Sequence, residues 1–324
     1  MVRVLALLLA APAVAAPMSD VQARLDALVR SAPGRFGVAV LDLDSGARAT
    51  VRGRTPAPMA SVFKLPTAVA VLHRAQEESL PLSTVLQVRA EERAPGWSPL
   101  AARVPPAGLD LTLQALLESM VTESDNTAAD VLLRWMGGPG EVIARLARLA
   151  VRGIRIDRNE RGLSQAAWGL TPVVGSESLE ALLARSRAVP AAQRRDAFRS
   201  FSKDPRDQAS PEALVELLAS LHSGKLLDPP HTRGLLATMR ATPTGPRRLR
   251  AGLPTVVSLA HKTGLLASED GFSVAVNDVG IASAPGRNLA IAVLVTDAEA
   301  PVEQCEDLIA AVARAAWRTD APAR

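Results

Sequence analysis

The chain reads as an α+β protein, with an antiparallel sheet built from both chain termini, flanked by helices, and an all-helical domain set between them. Three observations predict this. Strand-like runs occur near the start (36–51), and they return only at 256–264, 272–283 and 288–297. Between them, from Ser61 to about Met239, apolar residues recur at helical spacing. Strands at the two ends can share one buried face only by pairing with each other, which leaves the middle to pack beside the sheet. The expected division is 18–55 with 250–324 as an α/β domain and 56–249 as an all-helical domain.

Each element follows from local pattern. The opening MVRVLALLLAAPAVAAP has an early arginine, a short apolar run and small residues at 13–15, the layout of a secretory signal peptide over 1–15. The run is shorter than the roughly 18 residues a membrane-spanning helix needs. No cysteine lies near the cleavage point, so a periplasmic or secreted protein without membrane or lipid anchor is expected. Val21 to Ala32 is an amphipathic helix with Leu25, Leu28 and Val29 on one face. FGVAVLDLDSGARATV (36–51) is a β-hairpin turning at Asp44-Ser45-Gly46. GLSQAAWGLTPVVG (162–175) is linker-like and leads into helical stretches at 177–187 and, arginine-rich, from 191 onward. A closing amphipathic helix runs from Val302 to Trp317.

Composition removes several classes of function. Cys305 is the only cysteine, so no internal disulfide can form. With four scattered histidines besides, a Cys/His metal cluster is not available, and neither metal nor cofactor is expected. The net charge of +4 comes from arginines spread along the chain, and there is no tyrosine to stack on bases. That describes a solvated basic surface with no nucleic-acid partner.

Lysine is rationed. Of 37 basic residues only Lys64, Lys203, Lys225 and Lys262 are lysine. In MASVFKLPTAVAV (59–71), Ser61 and Lys64 stand three residues apart at a helix start, where hydroxyl and amine can share a face. A lysine whose pKa is lowered can act as a base toward a hydroxyl, which arginine cannot do. Taken alone, Ser-x-x-Lys is a weak signal. SDN at 124–126 could be no more than a helix cap. KTG at 262–264 could be a strand ending at a glycine turn.

Together, in this order, Ser-x-x-Lys, Ser-Asp-Asn and Lys-Thr-Gly resemble the motif set of class A β-lactamases and penicillin-binding proteins. DRNERGL (157–163) resembles the class A Ω-loop, with Glu160 placed 36 residues after Ser124. The resemblance covers nearly all of the chain after its first 17 residues. It implies a β-lactamase/transpeptidase-like fold and a hydrolase that opens β-lactam rings, acting as a monomer on a small-molecule substrate and water. Ser61 is then the nucleophile, and Lys64 and Glu160 share its activation. Glu160 activates the deacylating water, and Ser124 relays a proton to the departing nitrogen. Backbone N–H groups of Ser61 and Leu265 form the oxyanion hole. Asn126 contacts the substrate amide, while Lys262, Thr263 and Gly264 face its carboxylate. Arg247 resembles a second carboxylate anchor, with plain surface charge as the rival reading. Trp97 resembles an aromatic gate, with a half-buried core tryptophan as its rival.

Three departures from the pattern stand out. Ser164 takes the place of an asparagine that helps hold the deacylating water. Asp130 replaces an asparagine that steadies the Ω-loop. Asp207, the expected partner of Arg158, lies 49 residues beyond it. The family interval is about 15, so an insertion of roughly 34 residues extends the loop 157–211, a change that costs little closure entropy. The insertion is either a helical flap that reshapes the pocket or a solvent-facing elaboration. Two other functions remain open at this stage: a D-alanyl-D-alanine carboxypeptidase, which would not need Glu160, and a catalytically silent binding protein. No Gly-x-Ser-x-Gly elbow occurs, which disfavours a Ser-His-Asp hydrolase.

Overall fold

The computed structural model describes residues 17–30, 32–173, 177–267 and 271–318. The signal peptide expected over 1–15 lies outside these residues. Helix α1 (Met18–Val29) starts three residues ahead of the pattern, directly after Pro17, whose extended conformation suits the residue before a helix. The hairpin follows as β1 (Arg35–Asp42) and β2 (Arg48–Val51). After β3 (Ala57–Pro58) and a tight 3₁₀ turn over Ala60–Phe63 comes α2 (Lys64–Glu77). Pro66 falls in the first turn of α2, where an α-helix has no carbonyl for its missing N–H.

The middle of the chain departs from the expected all-helical domain. Strand β4 (Val85–Val88) pairs antiparallel with β5 (Leu109–Thr112), and β3 pairs with β6 (Gln208–Ala209). Four-residue runs such as VLQV and LDLT are too short to show a helical period, and their apolar content favours pairing. The helices here are α3 (Leu113–Glu118), α4 (Asn126–Met136), α5 (Pro139–Arg148), α6 (Glu160–Ala167), α7 (Leu179–Ala188), α8 (Ala191–Phe201), α9 (Pro211–His222), α10 (Pro229–Arg240) and α11 (Leu249–Gly252). The stretch expected to be an insertion carries α7 and α8 among its described residues.

The chain then returns to the sheet as β7 (Ser258–Ala267), β8 (Phe272–Ala284) and β9 (Arg287–Glu299), and it closes with α12 (Val302–Trp317). The strand order is β2-β1-β9-β8-β7, antiparallel throughout, so both termini contribute to one sheet as expected. Alternate residues on the central strands serve two cores. Val38, Val40, Ile291 and Val293 pack toward Leu308 and Ile309 of α12 and Leu25 of α1. Ala39, Leu41, Ala292 and Leu294 belong to the other core, with the helices of the middle region. Sheet β7 is an edge strand, and its free side faces that middle region. No described helix is long and apolar enough to cross a membrane.

Candidate active site

Ser61 sits in the 3₁₀ turn at the edge of β7, half-buried, one residue after Ala60, whose φ of 45° places a non-glycine residue in the left-handed region. Such a conformation persists only when its surroundings hold it. Here Asn277 of β8 donates from Nδ2 to the carbonyls of Pro58 (2.9 Å) and Met59 (3.0 Å). The Met59 N–H donates to the Asp207 carbonyl. Gly264 lets β7 approach, because a Cβ there would stand 2.5 Å from the Met59 carbonyl oxygen. This close approach sets the backbone of Gly264 and Leu265 beside the Ser61 turn.

Among the described residues the Lys64 side chain makes no hydrogen bond to Ser61; its contacts are with the segment that carries Ser124 and with Glu160. Its fully buried ammonium donates to the Ser124 carbonyl (2.7 Å) and to Asn126 Oδ1 (2.6 Å). It also lies 2.8 Å from Glu160 Oε1. That last contact is an ion pair without hydrogen-bond alignment, and Oε1 accepts no hydrogen bond from another protein group. Acceptor capacity is thus left on a carboxylate that is nearly enclosed. Asn126 also donates from Nδ2 to the Pro95 carbonyl (2.7 Å), so its amide spans α4 and the loop carrying Trp97.

Ser124 stands on the other side of Lys64. A π-helical turn over Ser119–Glu123 delivers it in the left-handed conformation, φ 62°. Asp125 caps α4 by accepting from Ala128 N–H and holds the facing loop through Ser98 and the Leu100 N–H. Ser124 Oγ accepts from the Nζ of fully buried Lys262 at 2.8 Å. Burial, and then the neighbouring charge of Lys64, hold the Lys262 pKa well below the usual lysine range. The two sequence-selected lysines therefore flank one serine.

Glu160 opens α6, which Asn159 caps through the Gly162 N–H. Its backbone N–H donates to Asp130 Oδ1 (2.6 Å), and Asp130 Oδ2 accepts from the Arg161 N–H (3.1 Å). Asp130 thus ties the start of α6 to α4. Burial, reinforced by the Glu160 carboxylate, raises its pKa to about 7. Arg158 pairs with Asp207 (2.5 Å) and Asp204 (3.1 Å), closing the base of the loop across the insertion. Ser164 lies one helical turn after Glu160, half-buried on the same side of α6.

Three remaining expectations sort differently. Trp97 is 67% exposed, with its indole N–H donating to the Glu123 carbonyl (2.8 Å). It is therefore no core residue, and it stands beside the segment leading to Ser124. Thr263 meets the Thr244 hydroxyl at 2.6 Å. Arg247, by contrast, turns away from the cleft to Asp307 and Glu306 of α12, the surface-charge alternative. Its neighbour Arg248 is the buried one, donating to the carbonyls of Gly264 and Asn277 (both 3.0 Å) and pairing with Glu306. Of these two adjacent arginines one points outward and one inward, and only the fold distinguishes them. Asn277 also escaped the sequence reading, although an Asn-Asp pair inside an apolar strand was a legible signal.

Comparison with known proteins agrees with this geometry. The Beta-lactamase enzyme family model matches residues 20–319. A β-lactamase of Streptomyces albus G is 31% identical over 301 residues, 92% of this chain and 83% of that protein. The crystal structure of a β-lactamase from Chitinophaga pinensis superposes with a TM-score of 0.77 at 32% identity, covering 92% of this chain and 98% of the other. An ancestral class A β-lactamase reconstructed for Gram-negative bacteria superposes at 0.72 with 29% identity, covering 91% and 98%. With a family model matched over almost its whole described length, the chain belongs to the β-lactamase enzyme family and is a class A β-lactamase.

Proposed function

We propose that the chain hydrolyses the β-lactam ring of antibiotics through an ester on Ser61. The observation that carries this reading is the pair of buried lysines around Ser124 with Glu160 Oε1 2.8 Å from Lys64 and open to a further donor. In the first step Ser61 Oγ bonds to the lactam carbonyl carbon and its proton passes to the Lys64–Glu160 pair. The developing oxyanion is held by the N–H groups of Ser61 and Leu265, of which one is typically worth about 2.7–4 kcal/mol. The C–N bond then breaks. Ser124, whose oxygen accepts from Lys262, gives its own proton to the leaving nitrogen and regains one from the Lys64–Glu160 pair, which leaves Glu160 free for the second step. In the second step Glu160 takes a proton from water, the hydroxide adds to the ester, and Ser61 leaves protonated. Lys262 and Thr263 provide charge and hydroxyl for the substrate carboxylate, with Asn126 for the side-chain amide. Gly264 gives the strand its close approach, Trp97 borders the entrance, and Ser164 faces the water position.

The carboxypeptidase alternative has no use for Glu160, and a silent scaffold has no use for two buried lysines. All these residues come from one chain, which supports a monomer, and the N-terminal pattern supports export to the periplasm or medium. The 18–55 plus 250–324 and 56–249 division places the cleft at the boundary between the two parts. The insertion is read as a flap. One end is tied near Trp97 by Arg93–Glu180 (2.8 Å) and the other to the sheet by Arg199–Glu299 (2.5 Å).

Purified protein mixed with a chromogenic cephalosporin, with adducts followed by intact mass, tests the whole reading. Rapid turnover with a transient adduct on Ser61 is expected. A stable adduct would assign the carboxypeptidase instead, and no adduct at all would remove the enzyme reading.

A further inference from the structure

Outside the cleft, a cavity of about 410 Å³ opens between the end of α10, the loop 241–248 and the start of β7. Its polar lining is Arg240, Thr242, Thr244, Arg250, Ser258 and His261, and no carboxylate lines it. Arg240 forms no ion pair among the described residues and stands exposed at the rim. Arg250 gives three hydrogen bonds to carbonyls, from Nη1 to Val257 (2.6 Å) and from Nη2 to Leu253 (3.2 Å) and Pro254 (2.6 Å). A guanidinium has five N–H donors, so two remain. This guanidinium is half-buried without a carboxylate partner among the described residues, and desolvation lowers its pKa. Thr242 is 8% exposed, yet its hydroxyl is buried without a partner. Asp278, bonded to the lining residue His261, is occupied by His261 Nδ1 (2.9 Å) and the Leu249 N–H (3.1 Å).

An exposed guanidinium, a part-buried guanidinium with two N–H donors unused and an orphaned hydroxyl border one cavity, and none of them has a carboxylate partner. A buried donor left unmade is costly, and charge-assisted bonds to an oxyanion are among the strongest available. We propose that this cavity binds a phosphate-type oxyanion, held by Arg240, Arg250 and the Thr242 hydroxyl. The volume exceeds that of the ion alone, and Pro243, Pro246 and Leu259 supply an apolar wall for an organic substituent. The ligand is thus either free phosphate or a phosphate monoester. Through Thr244, whose hydroxyl meets that of Thr263, the site lies one side chain from the proposed carboxylate anchor.

The test is thermal unfolding and titration calorimetry of the whole exported chain with inorganic phosphate or phenyl phosphate, against sodium chloride at matched ionic strength. Neither readout depends on β-lactam turnover, so failure here leaves the proposed enzyme activity untouched. Saturable binding with a raised Tm is expected. Arg240→Gln, at an exposed position, and Thr242→Val, which removes only an unpartnered hydroxyl, should each fold normally and weaken phosphate about tenfold. Equal affinity for the two probes assigns free phosphate, and tighter phenyl phosphate binding assigns a monoester; both support the site. A Tm identical in phosphate and chloride, or undiminished binding by both variants, would overturn it.

Discussion

The chain carries positive charge in two unlike regions. At the cleft, Lys64 and Lys262 are fully buried, each within hydrogen-bonding distance of defined acceptors. On the insertion, the ion pairs are made by arginines at the surface, as in Arg199–Glu299, where both side chains are about half exposed or more. Burial makes an ammonium's proton removable, and solvent leaves a guanidinium permanently charged. The two buried lysines of the cleft are therefore not interchangeable with arginine. The insertion gains its hold from another source, the buried Leu182, Phe198 and Phe201, the last lying under Arg158 at 4.8 Å. Its exposed pairs guide its position and contribute little energy.

Mutations that break the cleft should have the largest effects. Glu160→Ala removes the acceptor for the second step, so acyl-enzyme should accumulate and turnover fall roughly 10²–10⁴-fold, read by intact mass and steady-state rate. Wild-type turnover would take Glu160 out of the mechanism. Lys64→Arg keeps the charge but removes the exchangeable proton. A rate loss of similar size, roughly 10²-fold or more, is expected in a protein that still folds by circular dichroism. Gly264→Ala pushes β7 from the Met59 carbonyl. An ångström of misplacement at such a site costs about 10²-fold in kcat, and the loss should exceed any change in KM.

Asp130 probes the join between the two regions. With its pKa raised to about 7, the folded protein keeps a proton that the unfolded chain releases near the ordinary carboxylate range. Stability therefore declines as pH rises from about 4 to about 7, by at most on the order of 4 kcal/mol. Asp130→Asn should flatten that part of the Tm–pH curve. An unchanged slope would assign the decline elsewhere. The smallest effect belongs to the insertion's surface ties: Glu180→Gln with Arg199→Gln should leave the Tm nearly unchanged. If the insertion is a flap, the same double variant shifts relative rates between penicillins and cephalosporins. Unchanged ratios would make it a solvent-facing elaboration.

Most of the sheet was legible in the sequence because its strands carry long β-branched runs, and α12 begins and ends where its periodicity does. The short strands β4 and β5 were hidden because four residues cannot distinguish period two from period 3.6. At the site, the residues inside motifs come together as expected. Arg248 and Asn277 did not announce themselves, because their roles lie in backbone carbonyls that are distant in sequence.

The sequence by itself determined which side chains can give up a proton, where hydroxyls and a carboxylate recur, and which ends must pair into a sheet. These follow from residue chemistry and local periodicity. Only the tertiary structure decided that Lys64 is hydrogen-bonded to the Ser124 carbonyl and Asn126 and paired with Glu160, and that Arg248 turns inward while Arg247 turns out. It alone left the Thr242 hydroxyl without a partner beside two arginines that have no carboxylate partner. Those outcomes depend on which carbonyls and carboxylates folding brings within about 3 Å, a distance that no spacing along the chain encodes.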